Sequence, residues 1–176
     1  MKAFARPILA AAIFAGLALG GSAAFAEEPK KNWTPPAGKI YAQTLSDETM
    51  AKHPELLSVT FHGVPPGEHD AYTMYAGSYP ERIGNPDDPD DIDVSKKGIT
   101  IIDPRWRRTN DTVKKFVVLM PLRDAQHENI GLIVYAFKSP PNDKTTEVQY
   151  FAKSTALRDA LEPKIPNYAA LFATAK

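Results

Sequence analysis

KKFVVLMPLRDAQHENIGLIVYAFK, Lys114 to Lys138, reads as two apolar strands joined by a polar turn. Phe116 to Leu122 is almost continuously apolar, with strand-favouring Phe116, Val117 and Val118 at its start. Asp124 to Asn129 holds no large apolar residue and forms the turn. Ile130 to Phe137 is apolar again, and Val134, Tyr135 and Phe137 favour strand. Each run has a strand's length and is short for a helix. Runs this unbroken belong to strands covered on both faces, or covered on one face and crossed by a helix or ligand on the other. The short link makes the two strands antiparallel neighbours.

Moving outward toward the N-terminus, Gly98 to Asp103 (GITIID) reads as a strand, followed by a basic loop, Pro104 to Thr112. Pro80 to Lys97 reads as a long loop without regular structure, because three prolines, a glycine and five aspartates crowd it. Ile83, Ile92 and Val94 would pin that loop to the body. Before it, Leu56 to Val64 and Ala71 to Tyr79 read as a hairpin-like pair of strands around Pro65-Pro66-Gly67. In the first of these, alternation puts Leu57, Val59, Phe61 and Gly63 on one face, and Ser58, Thr60, His62 and Val64 on the other. Ile40 to His53 suits a helix burying Ile40, Tyr41, Leu45 and Met50, ended by Pro54. On the C-terminal side, Ser139 to Asp143 is a breaker cluster, and Thr146 to Leu161 is a helix burying Tyr150, Leu157 and Leu161. Pro163 and Pro166 interrupt it, and Asn167 caps a short last helix carrying Tyr168, Leu171 and Phe172.

The chain has 176 residues, a formal net charge of +0 and no cysteine. Neutrality removes any global field for nucleic acid. The missing thiols exclude disulfides, thiolate metal sites and haem attachment. Residues 1–26 have the features of a secretory signal: Lys2 and Arg6, then an apolar run from Ile8 to Leu19, then Ala24-Phe25-Ala26. Cleavage after Ala26 would leave 150 residues with 19 basic and 21 acidic side chains, a formal charge of −2, in the periplasm or outside the cell. Residues 27–39 read as a flexible tether, in which Trp33 either docks on the body or stays loosely packed, and 40–176 as a single domain. No second apolar run is long enough for a membrane span.

The order helix, two strands, long loop, three strands, helix pair gives an α+β fold with a mainly antiparallel sheet of about five strands. That order resembles the PAS-like Cache (PDC) domains, extracytoplasmic sensory modules of bacteria. The nearest motif is PLRDAQHENIGLIVYAF, Pro121 to Phe137. It is similar to the family's closing hairpin, in which a strand ends in a polar turn, often Asp then Gly, and the last strand opens with Ile-Gly. Asp124 and Ile130-Gly131 match; the turn glycine is absent, and Gln126, His127 and Glu128 stand there. The resemblance spans Ile40 to Phe137 and implies a small-molecule pocket lined by strand ends and flanking loops. It also implies a separate membrane signalling protein as partner, because no signalling domain is recognisable here.

Candidate pocket residues follow from that placement: His62, Tyr72, Tyr75, Arg105, Trp106, Arg107 and Asp124. Arginine presents a planar fork to a carboxylate, Asp124 would pair with an amine or hydroxyl, and the aromatics would cover apolar parts of an organic anion. Alternatively, the arginines pair with Asp87, Asp88, Asp90, Asp91 and Asp93 in the solvated loop, and His62 is an ordinary hydrogen-bonded histidine. The aspartates lack EF-hand spacing, and the four histidines lack zinc-site spacing, so no metal and no cofactor are expected. No nucleophile motif is present, so no catalytic residue is expected either. The alternatives to a ligand-binding module are an interaction domain of the same fold with a collapsed pocket, and a hydrolase without a recognisable motif.

Overall fold

The computed structural model describes residues 30–103 and 112–175. Within them the elements run α1 (Tyr41–Lys52), β1 (Leu56–Gly63), β2 (Thr73–Gly77), α2 (Pro89–Lys97), β3 (Ile101–Asp103), β4 (Lys115–Arg123), β5 (Asn129–Lys138) and α3 (Glu147–Leu161). Short 3-10 turns follow at Pro80–Arg82, Glu162–Lys164 and Tyr168–Phe172. The five strands form one antiparallel sheet in the order β2-β1-β5-β4-β3. The α+β architecture expected from the element order is therefore the architecture found.

The β4–β5 pair explains its own sequence. Its register sets Phe116 against Phe137, Val118 against Tyr135 and Met120 against Ile133. Those side chains point to one face, where α1, α3 and the C-terminal 3-10 turn cover them. Val117, Leu119, Leu132 and Ala136 alternate onto the other face, where Val94 of α2 packs on them. Both faces are thus apolar, and an unbroken run results. At the turn, His127, one of the three residues that stand in place of the family's turn glycine, takes a left-handed conformation with φ 69°.

Two expectations need correction. Pro80 to Lys97 is not without regular structure, because its second half is α2. Asp88 is the N-cap, Pro89 occupies the first turn, and the Asp91 carboxylate accepts the Asp88 backbone N–H at 3.3 Å. Asp90 and Asp91 face the positive end of the helix dipole, Lys96 and Lys97 the negative end. Gly98 closes the helix at φ 64°, a conformation that costs other residues more. The prolines and aspartates that looked like breakers are the helix's start signals. The second correction concerns β1. A register shift between Leu56 and Ser58 breaks the alternation, so Leu57 packs on the α2 side while Val59 and Phe61 join the other core.

β2 and β3 are shorter than the runs Ala71–Tyr79 and Gly98–Asp103 read as strand. Trp33 docks: its ring meets Phe172 edge-on at 6.2 Å, and the Asn32 backbone N–H donates to Gly84 O at 2.9 Å. Asn167 caps as expected, accepting the Ala170 N–H at 3.0 Å, although the turn it starts is 3-10. Among the described residues no helix is long and apolar enough to cross a membrane. Residues 1–26, the basic loop from Arg105 to Arg108, and the cleavage site lie outside the described residues.

The junction between β5 and α3 is tied by Asp143. Its carboxylate accepts the Tyr150 hydroxyl, the Thr145 hydroxyl at 2.7 Å and the Thr145 backbone N–H at 2.9 Å. These bonds, that of Tyr150 first, hold its carboxyl down at about 2. A depressed carboxylate stabilises the fold above its unfolded value and loses that contribution as pH falls through the folded one. Asp143→Asn should therefore lower the melting temperature at neutral pH by a small amount. That difference should shrink between about pH 4 and about pH 2. A constant difference across this range would show that the carboxylate is not what ties the junction.

Candidate functional site

β1 lies between β2 and β5, so its side chains have neighbours on both sides. On the face away from α1 and α3 it carries Ser58, Thr60 and His62, which are buried. Polar side chains in the middle of a sheet need partners or a purpose. α2 covers this face over β4 and β5 through Val94. Beside it remains a cavity of about 160 Å³, whose lining includes Ser58, Thr60, His62, Tyr79, Arg82 and Lys115. A second hollow of about 180 Å³ adjoins it under the segment that leads into α2, lined by His62, Met74, Arg82, Asp87, Asp88 and Asp91 among others. His62 and Arg82 belong to both.

The trough has a direction. Lys115 pairs with Lys138, Ser58 with Ala136, and His62 with Leu132, so the lysine marks one end and the histidine the other. Ser58 to His62 spans roughly 13 Å at a strand's rise. At the far end, His62 Nδ1 lies 2.7 Å from Asp87 Oδ1 and 4.0 Å from Asp91 Oδ2. Its Nε2 lies 2.7 Å from Thr60 Oγ1. Asp87 has only 1% of its side chain exposed, and its Oδ2 has no hydrogen-bond partner. Burial pushes the Asp91 carboxyl up, His62 draws it down, and Asp87 raises it again.

The candidate residues read from the sequence do not all meet here. His62 lies at the centre. Tyr72 is a neighbour: its carbonyl accepts the Asp87 backbone N–H at 3.0 Å, and Lys96 Nζ sits 5.0 Å from its ring centroid. Tyr75 is on the wrong face. A second register shift, between Phe61 and His62, leaves it among Phe61, Tyr168 and Phe172 in the core, where burial raises its hydroxyl pKa. Asp124 is also elsewhere. Its Oδ1 accepts the Gln126 and Glu128 backbone N–H groups at 3.0 and 3.1 Å, which shapes the β4–β5 turn. Arg105, Trp106 and Arg107 lie outside the described residues. Asp87 and Asp91, read from sequence as solvated loop aspartates, are instead largely buried beside His62. The sequence signal nearest to them is the helix start at Asp88 and Pro89; their meeting with His62 comes from the docking of α2 on the sheet.

No family model and no curated protein sequence matches the chain. Among solved structures it is similar to the Escherichia coli DcuS sensor domain, at 16% identity and a TM-score of 0.38 over 66% of this chain and 71% of that one. It is also similar to the blue-light absorbing form of the Thermosynechococcus elongatus PixJ GAF domain, at 14% identity and a TM-score of 0.40 over 68% of this chain and 84% of that one. At this similarity neither neighbour says what this chain binds.

Proposed function

We propose that the chain is a sensory module that binds one small polar organic ligand in the trough on β1, in the periplasm, and acts through a separate membrane protein. The observation that carries this reading is the buried polar floor. Ser58, Thr60 and His62 lie beside the apolar patch of Val117, Leu119, Leu132 and Ala136 on the same sheet face, where apolar side chains would hold α2 at lower cost. The trough is open rather than filled, which favours a binding module over a collapsed interaction domain. Lys115 suits a carboxylate at one end. His62, Asp88 and Asp91 suit an amine or hydroxyl at the other. An amino acid or hydroxy acid has this pattern of groups. Arg105 and Arg107, read from the sequence as anion-binding, form a separate arm of the test.

The test uses protein exported by a Gram-negative host, whose mass reports whether the mature chain starts at Glu27. A thermal-shift panel of amino acids, hydroxy acids and dicarboxylates identifies a ligand, and calorimetry measures it. A charge-assisted hydrogen bond contributes about 1.5–3 kcal/mol, so Lys115→Ala should weaken binding about 10–100-fold. Its own melting temperature should stay near that of the parent, as for most partly exposed substitutions. Arg105→Ala and Arg107→Ala report whether the basic loop shares the anion. If no compound in the panel binds, or Lys115→Ala binds the hit unchanged, the trough is not the site, and the interaction-domain reading replaces this one.

A further inference from the structure

We propose that His62, Asp87 and Asp91 form a site for a divalent first-row transition cation at the end of the trough. The three donors come from β1, from the residue before the N-cap of α2 and from its first turn, so the docking of α2 assembles them. Their ligand atoms all lie within 4.8 Å of one another. Bonds of about 2.0–2.2 Å put neighbouring ligands about 3–3.5 Å apart. The two separations at His62 Nδ1, 2.7 Å to Asp87 and 4.0 Å to Asp91, bracket that spacing. Small side-chain rotations would seat a cation between them.

The second observation is independent of the spacing. Asp87 Oδ2 is buried without a hydrogen-bond partner, on a side chain only 1% exposed that lines the 180 Å³ hollow. A carboxylate oxygen in that position costs free energy unless something positive meets it. A proton on His62 Nδ1 answers Asp87 Oδ1 alone. Two carboxylates then still face at most one imidazolium charge. Arg82 and the N-terminus of α2 offset part of the excess, and Asp88 adds to it. A doubly charged ion satisfies both carboxylates and the free Oδ2 together.

The histidine is also oriented for this. Thr60 Oγ1 holds Nε2 at 2.7 Å, and accepting its proton would leave the Nδ1 lone pair facing the carboxylates. A ligating histidine commonly fixes its tautomer through its other nitrogen in this way. One imidazole with two carboxylates suits manganese, iron, cobalt or zinc better than calcium, which prefers oxygen throughout. Three protein donors leave positions open toward the trough. A hydroxyl of the ligand could complete them, a consequence that rests on the function proposed above; cation binding itself does not.

The experiment uses the mature chain without a histidine tag, stripped with a chelator. Equilibrium dialysis against zinc or manganese, read by elemental mass spectrometry, should give about one equivalent per chain, with a raised melting temperature. Asp87→Asn and His62→Ala should each weaken binding by more than about tenfold, and Thr60→Val by about tenfold through its positioning role. Asp93→Asn, on the exposed Asp93–Lys97 pair, should leave binding unchanged. If Asp87→Asn does not fold, Asp91→Asn serves in its place. A nitrogen-15 shift of His62 Nδ1 on adding zinc supports coordination. No such shift, no stoichiometric uptake, or equal uptake by the Asp87 and Asp93 variants overturns the site and leaves His62 simply hydrogen-bonded to Asp87.

Discussion

Ile133→Asp should leave the chain largely unfolded in water at 25 °C. Ile133 is fully buried in β5, opposite Phe61 of β1 on one side and Met120 of β4 on the other. The substitution first removes an apolar side chain whose burial stabilises by about 1.5–3 kcal/mol. It then places a carboxylate where its neighbours are Phe61, Met120 and the rest of the apolar first core. That adds several kcal/mol, whether the group stays charged or takes up a proton. The sum rivals the whole stability of an ordinary domain, about 5–15 kcal/mol. Ile133→Val is the control, because it keeps the shape and should cost about 0.5–1.5 kcal/mol. Urea melts followed by circular dichroism separate the two. An Ile133→Asp protein with the parental midpoint would mean that β5 does not lie at the centre of the core.

What could be read in advance divides along a physical line. Periodicity is local, so β4 and β5 were readable: their unbroken apolar runs report that both faces are covered, and both are. α3 was readable from the spacing of Tyr150, Leu157 and Leu161, all buried; α1 was readable as a helix but not in its buried face, since Ala42, Ser46 and Thr49 are buried with Leu45 while Tyr41 and Met50 are only half-buried. α2 was not, because its decisive residues carry opposite meanings by position. Asp88 and Pro89 inside a helix would break it; at the N-cap and first turn they start it. Faces along β1 were half readable, because alternation holds only until a register shift inserts an extra residue. One such shift moves Leu57 onto the α2 side, and another leaves Tyr75 in the opposite core from His62. The meeting of His62 with Asp87 joins residues 25 apart, and it depends on α2 docking against the sheet. Asp124 misled for a simpler reason: an aspartate in a tight turn commonly binds that turn's own backbone.

Gly131→Ala should destabilise the chain by roughly 2–4 kcal/mol, although it adds only a methyl group. Gly131 opens β5 at φ 143°, where a side chain is strained, a cost of about 1–3 kcal/mol. A Cβ there would also lie 2.6 Å from the carbonyl oxygen of His62. That oxygen cannot swing aside as a lysine tip could, since it belongs to the backbone of β1, held between β2 and β5. The two strands would have to separate locally, and the loss adds to the backbone strain. This gives the Ile-Gly at the start of the last strand a physical reason: two strands approach there more closely than any side chain permits. The same approach links the fold to the site, because the strand that must move carries the His62 ring beside Asp87 and Thr60. Gly131→Ala should therefore weaken zinc or ligand binding as well as lower the urea midpoint. Leu132→Val, one residue along and on the α2 side, should lower the stability by about 1 kcal/mol and leave binding intact. A Gly131→Ala protein with unchanged midpoint and unchanged binding would mean that β1 and β5 do not approach as closely as 2.6 Å implies.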